Sequence, residues 1–512
     1  MSGKDYIFTP SKLKIASMKN IFLSLIVSLL SILVLVNDSN GQTKKASTEI
    51  SKITTGREIK IKLTPYQNTK IYIGTNYGKN KVIADSCVLN EKGEGVFAAK
   101  EKLTPGIYFV VSPKYSILFD FIVDDTQQFK IIADTLSLNN IEIIGSSENE
   151  LFQAYSKSIN ALGGQLTGIE TNFKNAKTAA DSATFKEAYI VKDKEIKQTR
   201  KAFMELHPNS MMSYFLNIMQ RPEPPAIPVV NGKADSLYPF YFVKEHYWDN
   251  VVFNDNRLIR TPFFEDKLDD YFRNYVSRDP DSIIDEVNYM LTVAKTGKEI
   301  FPFLLFKFTN KYITPEFMGQ DKVFLNIYQN FFAKGDTVLL NEASNKSIKE
   351  RAYSMMANQL GLAAPALVIN DLLDQKISLY NIKSPYTFIV FWDPTCSHCK
   401  IEVPRLDSIF NASWKKLGVT MLGVNTNPKE TALWKTFIKD KKLTGWTHAY
   451  QTEADLNKEI QSGKPATIRQ LYDVFKTPTF YLLDAGKKIV AKNLSIEQFD
   501  DFLQTTNKKG SK

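Results

Sequence analysis

From about Glu58 to Ala133 the chain alternates short apolar, β-rich runs with polar turn signals. The runs are Ile59 to Leu63, Lys70 to Tyr77, Val82 to Leu89, Gly106 to Val111, Ser116 to Val123 and Phe129 to Ala133. Runs of this length and spacing predict a small antiparallel β-sandwich. Asn90-Glu91-Lys92-Gly93 and Thr104-Pro105-Gly106 supply turn chemistry between them. After Ser147 the hydrophobic period lengthens to that of helix, beginning with ELFQAYSKSINALGGQL and persisting to about Leu360. Arg221-Pro222-Glu223-Pro224-Pro225 interrupts this region with a stiff, extended connector, because proline cannot continue a helix. Beyond it, FFEDKLDDYFRNYV and Phe301 to Ile313 return to helical spacing. The aromatic residues there, including Tyr247, Trp248, Phe263, Phe264, Tyr271 and Phe272, are expected to be packed helix faces rather than a ligand groove.

From Leu360 onward strand and helix patterns alternate. Ala366 to Leu379 reads as a lead-in hairpin, Tyr386 to Phe391 as a buried strand, Cys396 to about Asn411 as a helix, Val419 to Val424 as a strand and Glu430 to Lys441 as a helix. A hairpin follows, Thr479 to Leu483 and Lys488 to Ala491 around Ala485-Gly486, and Ser495 to Thr505 closes the chain as a helix. Thr467 with Gln470, and Ser495 with Gln498, have capping-box spacing.

At the other end, Ile21 to Val36 is an uncharged apolar run behind Lys12, Lys14 and Lys19, with the small residues Ser39 and Gly41 ahead of Gln42. This is the layout of a secretory signal, cleaved or retained as an anchor, and it predicts export. A chain of 512 residues exceeds one hydrophobic core, and a typical domain of roughly 150 residues gives an expectation of about three. The expected organisation is a signal peptide or anchor over 1–41, a β-sandwich domain over 42–146, a helical domain over 147–359, an α/β domain over 360–507 and a basic tail over 508–512.

Composition narrows the function classes. The formal charge of +10 comes from lysines scattered over the whole length rather than gathered in a stripe, which argues against nucleic-acid binding. Three cysteines occur, Cys87, Cys396 and Cys399, too few for a disulfide scaffold. Cys87 lies in a predicted strand and reads as a small buried hydrophobe. Cys396-Ser397-His398-Cys399 is different, because the pair follows a buried strand and opens a helix. A helix amino terminus places partial positive charge and free N–H groups beside the first thiol, which favours the reactive thiolate. Cys396 is therefore the expected nucleophile. Cys399, one turn later, is placed to attack a mixed disulfide and resolve it. A metal site would need further ligands that the spacing does not supply, so neither a metal nor a cofactor is expected.

The segment FIVFWDPTCSHCKIEVP, the pair Ala364-Pro365 and the run Thr477-Pro478-Thr479-Phe480 resemble the TlpA and ResA group of envelope thiol-disulfide oxidoreductases, over about 145 residues. The resemblance implies a thioredoxin-like fold for the carboxy-terminal domain, with Pro478 in the cis-proline loop facing the cysteines. It also implies that Glu402, three residues after Cys399, assists deprotonation of Cys399, although an exposed helix charge near Lys400 and Arg405 remains open. The place of the usual thioredoxin aspartate, six residues before the first cysteine, holds Val390, and Thr395 replaces the tryptophan that often precedes that cysteine. His398 stands where oxidising DsbA-like and isomerase-like proteins carry histidine. It would favour an oxidant, whereas the wider resemblance implies a reductant.

The expectation is a thiol-disulfide oxidoreductase of the periplasm or cell envelope, acting on protein thiols and disulfides. A reductase fed by a membrane thiol transporter is favoured. Two alternatives stand beside it: a disulfide oxidase or isomerase, and a partner-binding adaptor with an accessory redox domain. Membrane attachment is expected only if the amino-terminal segment is retained.

Overall fold

The computed structural model describes residues 56–138, 141–230, 232–336, 340–462 and 466–510. The signal or anchor expected over 1–41 lies outside the described residues. Among the described residues no helix is long and apolar enough to cross a membrane. The order of architectures is β-sheet, then mostly helix, then α/β. Contacts group the chain into two compact units. The first runs to Val276 and includes Thr292–Phe303, and the second takes Ser277–Leu291 and everything from Leu304. The helical stretch expected over 147–359 thus contributes to both.

In the first unit, eight strands form two four-stranded sheets: β1 (Arg57–Thr64), β2 (Lys70–Tyr77), β3 (Asn80–Val88), β4 (Glu94–Ala99), β5 (Gly106–Val111), β6 (Ile117–Val123), β7 (Gln128–Asp134) and β8 (Glu142–Ile144). The sheet orders are β4-β1-β7-β8 and β3-β2-β5-β6. Inward residues of both sheets, among them Ile59, Ile61, Phe129, Ile71, Tyr108 and Phe121, share one core, which makes a sandwich. It is not wholly antiparallel as expected, since β1 and β7 pair parallel with Ile59 opposite Phe129 and Ile61 opposite Ile131. The alternation of apolar and polar residues sets which face is buried and is the same for either strand direction, so the sequence pattern did not distinguish them. Asn90 makes the expected turn: its side chain accepts from the N–H groups of Lys92 and Glu94, and Gly93 takes a φ of 72°. Cys87, on the edge strand β3, is half-buried rather than fully buried.

Helices α1 (Ser147–Asn175), α2 (Ala179–Leu206) and α3 (Met211–Met219) follow, each opened by a serine or threonine side chain that accepts from a backbone N–H. Residues 220–228 carry no helix, as the proline cluster requires. A two-residue hairpin, β9 (Val229–Val230) and β10 (Lys233–Ala234), and helices α4 (Tyr238–His246), α5 (Phe264–Asn274), α6 (Pro280–Ala294), α7 (Ile300–Tyr312), α8 (Asp321–Asn330) and α9 (Glu342–Met356) complete the middle of the chain. Tyr247, Phe264 and Tyr271 are buried, and the Tyr247 and Tyr271 rings pack at a tilt with their centres 5.0 Å apart, as packed faces should.

The second unit carries a seven-stranded sheet of order β12-β11-β15-β14-β13-β16-β17. Its strands are β11 (Val368–Asp371), β12 (Lys376–Ser378), β13 (Tyr386–Trp392), β14 (Val419–Asn425), β15 (Thr447–Tyr450), β16 (Thr479–Leu483) and β17 (Ile489–Lys492). Its helices are α10 (Ser397–Ala412), α11 (Thr431–Asp440), α12 (Glu453–Gln461), α13 (Ile468–Leu471) and α14 (Ile496–Gly510). Strand β13 pairs parallel with β14 and antiparallel with β16. It is apolar from Phe388 to Trp392 because both faces are covered there. Phe388, Val390 and Trp392 enter one core, while Ile389 and Phe391 enter the core on the opposite face. Thr467 and Gln470 form the expected capping box, and Ser495 and Gln498 exchange the same two bonds.

Candidate functional site

Strand β13 ends at Trp392, and the chain turns through Asp393-Pro394-Thr395 into α10. Asp393 holds this turn: its carboxylate accepts from the N–H of Thr395 at 2.8 Å, from the Thr395 hydroxyl at 2.7 Å and from the Asn427 amide at 3.1 Å. Its carbonyl accepts from the N–H of Cys396 at 3.2 Å. Cys396 is thereby set as the residue that caps α10, with extended backbone angles, and Ser397 is the first helical residue.

The two sulfurs sit in different surroundings. Cys396 is partly exposed, and its Sγ lies 3.3 Å from the Thr477 carbonyl. Its burial acts to raise the thiol. Hydrogen bonding to the Thr477 side chain, to the Cys399 backbone and side chain and to the His398 backbone outweighs that, and the thiol lies below its ordinary range. Cys399 is fully buried in the core that also holds Val390, Trp392 and Val403. Burial pushes its thiol up to about 12, assisted by the neighbouring Cys396 and only partly relieved by the Asp393 backbone. Both are free thiols, so the pair is in its dithiol form.

The remaining candidates fall around this pair. Thr477-Pro478 is a cis peptide leading directly into β16, and it puts the Thr477 carbonyl against Cys396. His398 is exposed on the first turn of α10. Glu402 lies one turn beyond Cys399, and its carboxylate faces Arg405 at 3.5 Å, its hydrogen-bond partner among the described residues. The structure therefore brings Cys396, Cys399 and Pro478 together and does not bring the Glu402 carboxylate to either sulfur. Val390 shares the apolar core that buries Cys399. Pro404 is accommodated within α10, which runs from Ser397 to Ala412. Two contributors were not assigned a role from sequence: Thr477, whose only signal was the Thr-Pro step, and Asp393, whose carboxylate organises the turn three residues before Cys396.

Residues 360–492 match the AhpC/TSA family, and residues 184–357 match a domain of unknown function, DUF5106. The carboxy-terminal domain is a thioredoxin-like domain of the AhpC/TSA type. Curated relatives of this domain include the thiol-disulfide oxidoreductase ResA of Bacillus cereus (strain ZK / E33L), 29% identical over 149 residues that span 28% of this chain and 78% of the relative. ResA of Bacillus subtilis (strain 168) is 25% identical over 130 residues, 25% of this chain and 64% of that protein. Among solved structures, a thioredoxin-like protein from Bacteroides caccae is 21% identical with a TM-score of 0.44, covering 56% of this chain and 98% of that one. A thiol:disulfide interchange protein from a Bacteroides species is 31% identical with a TM-score of 0.25, covering 30% of this chain and 91% of that one. By its family match and its ResA relatives, the AhpC/TSA-type domain stands among thiol-disulfide oxidoreductases, with additional domains ahead of it.

Proposed function

We propose that this protein is a thiol-disulfide oxidoreductase of the cell envelope that reduces protein disulfides through Cys396 and Cys399. The observation that carries the reading is the contrast at one helix turn: a partly exposed thiol with lowered pKa beside a buried one raised to about 12. The Cys396 thiolate attacks a substrate disulfide, forming the Cys396–substrate bond and breaking the substrate S–S bond, and the departing thiolate takes a proton. Cys399 then loses its proton and attacks Cys396 Sγ. This releases the second substrate thiol and leaves the Cys396–Cys399 disulfide, so two electrons pass to the substrate. Glu402 is the proposed acceptor of the Cys399 proton, on its position three residues along the helix. In Glu402→Gln the mixed disulfide should persist longer; an unchanged lifetime would leave Glu402 only as the partner of Arg405.

The test of the main reading is turnover of a protein disulfide by the reduced full chain. Cys396→Ser should abolish it, and Cys399→Ser should stall as a mixed disulfide. Turnover retained by Cys396→Ser would overturn the reading. The signal layout over 1–41 supports an envelope location, and in an oxidising compartment a dithiol needs an electron source, proposed to be a membrane thiol transporter. Acid quench and thiol labelling in growing cells should find the pair mostly reduced, and oxidised once the donor is removed. A pair found mostly as disulfide with its donor intact would favour the second reading, an oxidase or isomerase. The exposed histidine ahead of Cys399 speaks for that one.

A further inference from the structure

The loop that delivers Thr477 to Cys396 is anchored from outside the thioredoxin-like sheet. Its downstream end is fixed by β16, which pairs with β13 from Thr479 onward. Its upstream end leaves α13 through Tyr472 and Asp473, and Asp473 adopts a φ of 47°, a left-handed turn that Asp enters more readily than most non-glycine residues. What holds it comes from α9. The Arg351 guanidinium pairs with the Asp473 carboxylate, both side chains being 13% exposed. The same guanidinium lies 5.0 Å from the centre of the Phe475 ring and donates twice to the Ile313 carbonyl at 3.3 Å. Two residues past α9, the Asn358 amide donates to the Leu471 carbonyl at 2.9 Å. Arg351 therefore grips the chain at 473 and 475, two residues short of Thr477.

We propose that Arg351, a residue of the DUF5106-matched segment, is a positioning residue for the exchange site, fixing the 473–478 loop so that Thr477 and Pro478 meet Cys396. The long helical region is then part of the redox apparatus through α9, because it sets the surroundings of the attacking sulfur without touching it. The inference rests on Cys396 being that attacking thiol.

The experiment measures the pH profile of alkylation of the reduced full chain, with the modified cysteine identified by mass spectrometry and folding checked by circular dichroism. Arg351→Ala should shift the Cys396 profile to higher pH and slow alkylation at neutral pH by about fivefold, the loss of thiolate fraction expected from a rise of somewhat under one pKa unit. Arg351→Lys, which keeps the charge opposite Asp473, should return the rate to within about twofold of wild type. Asp473→Asn, which keeps the shape and removes the charge, should move the profile in the same direction as Arg351→Ala. If Arg351→Ala does not fold, the Lys and Asn variants decide: a shift in Asp473→Asn larger than that in Arg351→Lys supports the proposal. Folded variants whose Cys396 profiles all superimpose on wild type, whatever their melting temperatures, would overturn it. Alkylation found on another cysteine in the wild type would instead overturn the assignment of Cys396 itself.

Discussion

A thiol reacts through its thiolate, so what surrounds each sulfur decides which cysteine acts. Cys396 has hydrogen bonds from backbone N–H groups and from the Thr477 side chain that favour the anion, whereas Cys399 and Cys87 are both held near 12, chiefly by burial. Alkylation of the reduced protein should therefore label Cys396 alone at mildly acidic pH, its rate rising with pH and levelling off below the ordinary thiol range, while Cys399 and Cys87 stay unlabelled. Preferential labelling of Cys399 would reverse the roles. The identity of this pair was legible from sequence, because a buried strand, a C-x-x-C spacing and a helix start are local features. The Thr477 contact was not, since it joins residues 81 apart.

At the scale of elements, β13 couples the site to the core. Phe388 on this strand packs within 4.9 Å of Trp414 and 5.0 Å of Phe499. Phe388→Ala should cost about 3–5 kcal/mol, read from denaturant unfolding of the reduced protein, because the cavity sits between ring-packed neighbours. Strand β13 was predictable from the apolar run Phe388 to Trp392, whereas β15 and α12 were not. The four residues Thr447–Tyr450 carry too little pattern to mark a strand, and it is pairing with β11 and β14 that makes them one. His448 on β15 is 4% exposed and its Nε2 donates to the Leu443 carbonyl at 2.7 Å; burial lowers its pKa, and that hydrogen bond only partly offsets the effect. The unfolded chain thus takes up the proton first, near pH 6.5, and stability is lost as pH falls through that value. Relative to wild type, His448→Gln should gain stability between pH 7 and 5, measured by thermal melts across that range. A constant difference would show that His448 titrates alike in both states.

At the scale of the whole molecule, the second unit is closed by a charge pair that no sequence pattern announces. Lys492 Nζ on β17 lies 2.5 Å from Asp321 at the start of α8 and 2.8 Å from the Asn358 amide oxygen, with both charged side chains 2% exposed. The residues are 171 apart in sequence, and nothing local to either marks the pair. Asp321→Ala should cost about 3–5 kcal/mol because it leaves a buried ammonium without its counter-charge. The paired replacement Asp321→Leu with Lys492→Met should recover most of that in the same unfolding assay. The sequence thus revealed the order of architectures and the redox pair, but not that helices from the middle of the chain complete the fold around the carboxy-terminal sheet. The central claim remains that Cys396 performs disulfide exchange. Its most direct test is covalent capture by full-length Cys399→Ser in intact cells, with the linked residue mapped by mass spectrometry. The account predicts adducts reversible by reductant and joined at Cys396, absent when Cys396 is also replaced; adducts joined at Cys87, or none at all, would contradict it.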